Sequence, residues 1–308
     1  MMKFRIALRA ACRPMMMALA LAAGPLLAPA AVHAADTVQV EGVTATAWAV
    51  ADAETGKVLA SQELDKPAKI ASVTKLMTAL VVAELAAKDP SVLDEEITFS
   101  ERAVKIYGTK TGLQAGERLR VRDALYGLML PSGNDAGIMF AQYFSPRLAE
   151  RDGTAGEPDS SQPFIAAMNR KAKELGMTET QYSASFNDGA GPDRKTSSPR
   201  DLLILARAAM ANPLVSKVVG TVNHDAKART ADGAERTIVW QNTNKLLGRA
   251  GVTGIKTGMT PVAKFCLLAE IAVKGRRYHI VVLGSRTDAD RYNDTLKILA
   301  AVTGNSVR

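Results

Sequence analysis

The chain has very little of what several common hydrolytic chemistries need. It has three histidines and two cysteines in 308 residues, and aromatic residues make up only 5%. One histidine, His33, and one cysteine, Cys12, fall in the first 34 residues, which leaves His224, His279 and Cys266 for everything that follows. A Ser-His-Asp hydrolase requires a histidine base. His279 lies in an apolar run, and no G-x-S-x-G nucleophile turn is present. No cluster of His, Cys and Asp has metal-ligand spacing, so neither a metal nor another cofactor is expected. A single cysteine cannot close an internal disulfide, and Cys266, inside Phe265-Cys266-Leu267-Leu268-Ala269, reads as a small buried hydrophobe. Basic runs with interleaved aromatics are also missing, which argues against nucleic acid as a partner. Internal repeats are missing too.

The opening residues read as an export signal. Lys3, Arg5, Arg9 and Arg13 form a basic start with no acid, and an apolar run from Met15 to Val32 follows. It ends in Val32-His33-Ala34-Ala35, with small residues where a signal peptidase cuts. Cleavage after Ala34 would remove 34 of the 308 residues and leave 274. It would also remove four of the positive charges behind the net +8, leaving +4. Cys12 precedes the apolar run and so does not read as a lipid-anchor site. With no apolar span beyond this leader and a short polar end at Gly304 to Arg308, the expectation is a periplasmic protein without a stable membrane anchor.

Past the leader, residues 35–308 read as one domain. Val43 to Asp52 and Lys57 to Ser61 form a hairpin about the turn Glu54-Thr55-Gly56. Helical spacing runs from Ser72 to Ala87 and stops at Lys88-Asp89-Pro90. Ser100 reads as a helix cap. Further helices are expected over Val121 to Leu130, Asn134 to Phe144, Pro163 to Leu175 and Ser198 to Ala211. Arg151 to Gln162 reads as an exposed loop. Phe265 to Val273 and Arg277 to Leu283 form a second hairpin, and Asp288 to Val302 a closing helix. Strands at both chain ends and helices between them predict one sheet built from both ends, with a helical insertion over about 96–220.

Three motifs carry chemistry. Ser72-Val73-Thr74-Lys75 is S-x-x-K, Ser132-Gly133-Asn134 is S-x-N and Lys256-Thr257-Gly258 is K-T-G. A serine hydroxyl needs a base beside it, and a lysine three residues on lies one turn away on the same helix face. Among cations and apolar groups such a lysine loses affinity for its proton and can act as that base. At the helix start, the Ser72 N–H can form half of an oxyanion hole. Two decoys exist, Ser185-Phe186-Asn187 and Lys110-Thr111-Gly112. Lys110 follows Tyr107-Gly108 in a loop, whereas Lys256 follows Val252 to Ile255 and can line a sheet edge. Ser132 lies in a break between helices, where it can reach a cleft.

The trio in this order is that of penicillin-binding proteins and class A β-lactamases. The segments Ala71 to Thr78, Gly127 to Ala136 and Asn242 to Gly248 resemble those of low-molecular-mass penicillin-binding proteins, the D-alanyl-D-alanine carboxypeptidases. Asp52 to Leu59, Met168-Asn169 and Leu175-Gly176-Met177 are similar to further landmarks of the family, and the resemblance covers roughly residues 43 to 303. It implies an α/β fold of the penicillin-binding-protein and β-lactamase type, an antiparallel sheet flanked by helices with a helical subdomain. It also implies that Ser72 is acylated, that Lys75 is its base, and that Ser132 and Asn134 relay protons and hold the substrate amide. Lys256 and Thr257 would take the substrate carboxylate, and the Met259 N–H past Gly258 would complete the oxyanion hole. Peptidoglycan stem peptides are the implied substrate and β-lactam antibiotics the implied covalent inhibitors.

Two departures stand out. The family usually has Ala-Gly before the strand that holds the cysteine, where this chain has Ala263-Lys264. Asn187 to Pro192 matches the family's Asn-Pro-x-Gly-Leu turn only loosely. A class A β-lactamase would need a deacylating glutamate. Glu157-Pro158 resembles that segment only superficially, since Ser161 stands where asparagine belongs. Two readings remain beside the carboxypeptidase, an endopeptidase cutting D-alanyl cross-links and a non-catalytic peptidoglycan-binding scaffold. The chain length resembles the endopeptidase branch. The text around Tyr107 to Glu117 and Leu125 to Ala136 looks more like the carboxypeptidase branch.

Overall fold

The first strand, β1 (Ala47–Asp52), is buried along its whole length. Side chains alternate across a strand, so a strand buried on both faces must be apolar on both. Ala47, Ala49 and Ala51 face one hydrophobic cluster, while Trp48 and Val50 face a second. The computed structural model that shows this describes residues 40–153, 160–189, 196–249 and 251–304. The expected leader and Glu157-Pro158 lie outside the described residues.

Asp52 Oδ1 accepts from the N–H groups of Glu54 and Thr55 at 3.1 and 2.9 Å and closes the turn to β2 (Val58–Gln62). A single 3₁₀ turn, Ala71–Thr74, leads into α1 (Lys75–Lys88). This helix is apolar nearly all round, from Leu76 and Met77 to Val82 and Ala83. Such a helix has no solvent face and becomes the spine of a core. Next come β3 (Glu96–Thr98) and α2 (Glu101–Val104), whose cap Ser100 accepts from the Ala103 N–H. Then follow β4 (Arg118–Arg120), α3 (Val121–Met129), α4 (Asn134–Arg151) and α5 (Gln162–Glu174). α6 (Pro199–Ala211) is capped by Ser198 and α7 (Pro213–Val219) by Asn212.

The strands β5 (Asn223–Arg229), β6 (Glu235–Gln241), β7 (Val252–Thr260), β8 (Lys264–Val273) and β9 (Arg276–Ser285) precede the last helix, α8 (Asp288–Thr303). The main sheet has the order β2-β1-β9-β8-β7, and each of its pairings is antiparallel. It is therefore built from both chain ends, as the element order predicts. Helix α8 covers one face through Tyr292, Ile298 and Leu299. The buried Asp294 carboxylate accepts from the N–H groups of Thr44 and Ala45 and from the Ser285 hydroxyl, pinning the chain's start to its last helix. The spine helix α1 packs in the cluster on the other face.

The insertion is not wholly helical. A second antiparallel sheet, β3-β4-β5-β6, takes two strands from the span expected to be helical and two from just beyond it. β3 and β4 have three residues each, and β5 is mostly polar and exposed, so none shows a strong strand pattern. Trp240 joins this sheet to the helical lobe by donating its Nε1–H to the Thr111 carbonyl at 2.8 Å. α4 also runs past the expected end at Phe144. Ser145-Pro146 is a boundary signal, but the helix continues to Arg151 with Leu148 and Ala149 buried.

Candidate active site

Ser72 sits in the turn before α1, and its neighbour Ala71 has φ +50. Lys75 begins the helix, so its side chain lies over the turn that holds Ser72. The Lys75 Nζ is 2.9 Å from Ser72 Oγ, 2.7 Å from Asn134 Oδ1 and 2.9 Å from the Phe186 carbonyl oxygen. Two of these three partners can only accept. A neutral amine has two N–H bonds and one lone pair. With both N–H bonds given to Asn134 and Phe186, the lone pair is directed at the Ser72 hydroxyl.

Lys75 is fully buried. Burial, and then the charge of Lys256, push its pKa well below the usual lysine value, against a smaller pull from Asp135. The arrangement sets an amine whose proton affinity is lowered by burial directly against the Ser72 hydroxyl.

Ser132, Gly133 and Asn134 form a sharp corner at the start of α4. Ser132 has φ +66, and no hydrogen-bond partner reaches its buried hydroxyl. Gly133 is required by close packing. A Cβ there would stand 2.6 Å from the Thr111 methyl and 2.8 Å from the Gly127 carbonyl. Asn134 Nδ2 donates to the Tyr107 carbonyl at 2.7 Å, which fixes the amide so that Oδ1 points at Lys75. Behind the corner, the buried Asp135 carboxylate accepts from the N–H of Thr111 at 3.0 Å and its hydroxyl at 2.7 Å. Burial raises the Asp135 pKa despite these bonds.

Lys256, Thr257 and Gly258 lie on β7, an edge strand of the main sheet. One side of β7 pairs with β8, and the other packs against the Ser72 turn. A Cβ on Gly258 would meet the Ile70 carbonyl at 2.7 Å and the Ser72 nitrogen at 3.2 Å. The glycine thus lets the strand approach the Ser72 turn. Lys256 is buried, with Nζ 3.1 Å from the Thr257 carbonyl. Burial, and then the Arg291 charge, lower its pKa to about 7. Thr257 Oγ1 shares a 2.7 Å hydrogen bond with Thr243 Oγ1. Met259 is exposed at the end of the motif. Lys264, in place of the family's glycine, has φ +56 and is exposed.

The structure therefore brings together Ser72, Lys75 and Asn134 by direct hydrogen bonds, and sets β7 against them. It keeps the Lys110 amine and the Ser185 hydroxyl out. Lys110 is exposed, with Nζ on the Val104 carbonyl at 2.6 Å. The Ser185 hydroxyl is bound to the Gly137 carbonyl at 2.8 Å. Sequence reasoning missed the Phe186 carbonyl and Arg291. Arg291 is buried, donates to the Gly258 carbonyl at 3.2 Å and stacks over Phe265 and Tyr292. It lies on α8, far along the chain from any motif. The local signals for that segment were the Ser185 decoy, which contains Phe186, and the loosely matching turn at Asn187 to Pro192. Among the described residues, no group of three or more His, Cys, Asp and Glu side chains could hold a metal ion.

The profile of the D-alanyl-D-alanine carboxypeptidase family matches residues 34–287. A D-alanyl-D-alanine carboxypeptidase of Streptomyces sp. strain K15 is 36% identical over 252 residues, which is 80% of this chain and 82% of that protein. The carboxypeptidase DacF of Bacillus subtilis is 31% identical over 80% of this chain, but the match spans only 59% of DacF. The crystal structure of the Streptomyces K15 DD-transpeptidase superposes with a TM-score of 0.78 at 32% identity, covering 87% of this chain and all of that one. Relatives named D-alanyl-D-alanine endopeptidase match too, one from Pseudomonas aeruginosa at 31% identity over 81% of this chain and 74% of that protein.

Proposed function

Because this chain belongs to the D-alanyl-D-alanine carboxypeptidase family, we propose that it removes the terminal D-alanine of peptidoglycan stem peptides through an acyl-enzyme on Ser72. The observation that carries this reading is the 2.9 Å contact of Lys75 Nζ with Ser72 Oγ, beside two acceptors, Asn134 Oδ1 and the Phe186 carbonyl, that can take the N–H bonds of a neutral amine. Neutral Lys75 takes the Ser72 proton as Oγ attacks the penultimate D-alanyl carbonyl. The oxygen that becomes negative is received by the N–H groups of Ser72 and Met259. The C–N bond breaks, and the leaving amine of D-alanine takes a proton from Lys75 or from Ser132, whose hydroxyl is otherwise unpartnered. Asn134 holds the substrate amide, and Lys256 with Thr257 holds the terminal carboxylate. Water then attacks the ester and frees Ser72.

A β-lactam follows the same first step. Its ring-opened amine remains tethered, so the acyl-enzyme persists and marks Ser72. Peptidoglycan lies outside the cytoplasmic membrane, and a leader over residues 1–34 would deliver the enzyme to the periplasm. Among the described residues no single helix is long and apolar enough to cross a membrane.

The endopeptidase reading rests on the relatives of that name. Both reactions acylate the same serine, and they differ in the leaving group. Free D-alanine ends in a carboxylate that the buried Lys256 can clamp, which favours the carboxypeptidase. Purified protein given pentapeptide monomer and cross-linked dimer, with products separated by chromatography, tests the choice. D-alanine release from the monomer is expected. Monomers freed from the dimer, with the pentapeptide left intact, would reverse the assignment.

A further inference from the structure

The turn that carries Ser72 is built on an unfavourable backbone. Ala71 is fully buried at φ +50, where an L-residue's Cβ crowds its own backbone. β7 packs close to it, since a Cβ added at Gly258 would stand only 3.3 Å from the Ala71 Cβ. Something must hold this conformation, and one carboxylate touches it. Asp188 Oδ1 accepts from the Ile70 N–H at 2.8 Å, and Oδ2 accepts from the Ala71 N–H at 2.8 Å. The chain separation is 118 and 117 residues. Asp188 is itself buried, and the Thr196 hydroxyl donates to its Oδ1 at 2.6 Å.

We propose that Asp188 is a positioning residue for acylation, holding the Ile70–Ala71 backbone in the left-handed turn that aims the Ser72 N–H and hydroxyl. The inference rests on the reading of Ser72 as nucleophile. Its logic is geometric. The Ser72 N–H belongs to the peptide plane that follows Ala71. Once the Ala71 N–H is fixed on Oδ2 and its φ is set, the direction of that next plane is constrained.

The same loop holds α1 at two further points. The Ser185 carbonyl accepts from the Thr78 hydroxyl at 2.5 Å, and the Phe186 carbonyl accepts from Lys75 Nζ at 2.9 Å. Residues 185 to 188 thus grip the base, the helix behind it and the turn before it. Asp188 makes no hydrogen bond to Ser72 or Lys75, so it acts through the backbone.

Asp188→Asn keeps the size of the side chain but turns one acceptor into a donor facing an N–H. The second-order rate of acylation by penicillin should fall about 100-fold, the scale of an ångström-level misplacement. On a D-alanyl-D-alanine substrate kcat should fall by a similar factor, with KM within about twofold, because the oxyanion hole engages only in the transition state. Rates are taken per competent site, counted by prolonged penicillin labelling. A purely structural brace would lower the labelled fraction and leave kcat per site unchanged. Adding Ala71→Gly to Asp188→Asn should recover part of kcat, since glycine adopts φ +50 without crowding.

Thr196→Val is the milder probe if Asp188→Asn does not fold. It removes one bond to Oδ1 and should lower kcat several-fold. Wild-type kcat per site in Asp188→Asn overturns the inference. So does wild-type kcat in Thr196→Val when the first variant is unfolded, or a double variant with no recovery. Labelling that survives Ser72→Ala would instead sink the nucleophile assignment, and this inference with it. Labelling lost in Ser72→Ala, with Asp188→Asn turning over normally, sinks the inference alone.

Discussion

The tripeptide Lys-Thr-Gly occurs twice in this chain, and the two copies share almost nothing but their letters. Lys110-Thr111-Gly112 lies in a loop. Its lysine is exposed, its threonine is buried against the Asp135 carboxylate, and its glycine has φ +85 with no heavy atom near a would-be Cβ. Lys256-Thr257-Gly258 lies on an edge strand. Its lysine is buried beside Arg291, its threonine shares a hydrogen bond with Thr243, and its glycine is wedged against the Ser72 turn. The first copy uses its threonine to build the wall behind the S-x-N corner. The second presents its lysine in a low-dielectric setting, where a charge is worth more. Chemistry here follows from where the backbone puts a residue.

The glycines should separate the copies most strongly. At Gly258 a methyl group would press on the Ile70 carbonyl, a backbone atom that cannot swing aside. Gly258→Ala must push β7 away from Ser72 and so widen the oxyanion hole proposed between the Ser72 and Met259 N–H groups. Loss of one donor from such a hole costs about 10²–10³ in rate, and penicillin acylation should fall by at least that much. Gly112→Ala meets no neighbour and should cost only about 1 kcal/mol of stability through its positive φ. Acylation kinetics and thermal melts of both variants provide the check. Equal acylation losses would dissolve the distinction.

Substituting the two lysines should have a smaller effect. A charge-assisted hydrogen bond contributes about 1.5–3 kcal/mol, or roughly 10- to 150-fold in kcat/KM. Lys256→Gln should lose that much on substrates ending in free D-alanine. Lys110→Gln removes an exposed contact to the Val104 carbonyl and should leave kcat/KM within about twofold, as surface changes generally do. A large loss in Lys110→Gln would show that the loop copy also reaches substrate.

What was legible in the sequence is what local spacing dictates. Ser72 and Lys75 meet because they are three residues apart at a helix start. Strands β8 and β9 are long and apolar enough to declare themselves, and Ser100 and Ser198 cap the helices they precede. The second sheet was hidden because β3 and β4 are three residues long and β5 carries charge at alternate positions. The supports of the site were hidden for another reason. Asp188 reaches Ala71 across 117 residues, and Arg291 reaches Gly258 across 33. The Phe186 contact uses a backbone carbonyl, which every residue has. No local pattern marks a contact made by the fold.

The smallest effect concerns pH, and its sign follows from the buried Lys256. On the proposed function Lys256 must be charged to hold the substrate carboxylate, and in the free enzyme its pKa is lowered to about 7. As pH rises through that value, kcat/KM for a carboxylate-ended substrate should fall. A one-proton loss with a pKa of about 7 gives roughly tenfold between pH 6 and pH 8. A bound carboxylate keeps Lys256 charged, so the alkaline fall in kcat should lie at higher pH than that in kcat/KM, since the two report the complex and the free enzyme respectively. Lys256→Arg, charged at every working pH, should lose the alkaline limb near 7 even if its overall rate is lower. A limb that persists unchanged in Lys256→Arg would mean that another group sets it, and that burial of Lys256 does not govern the pH response.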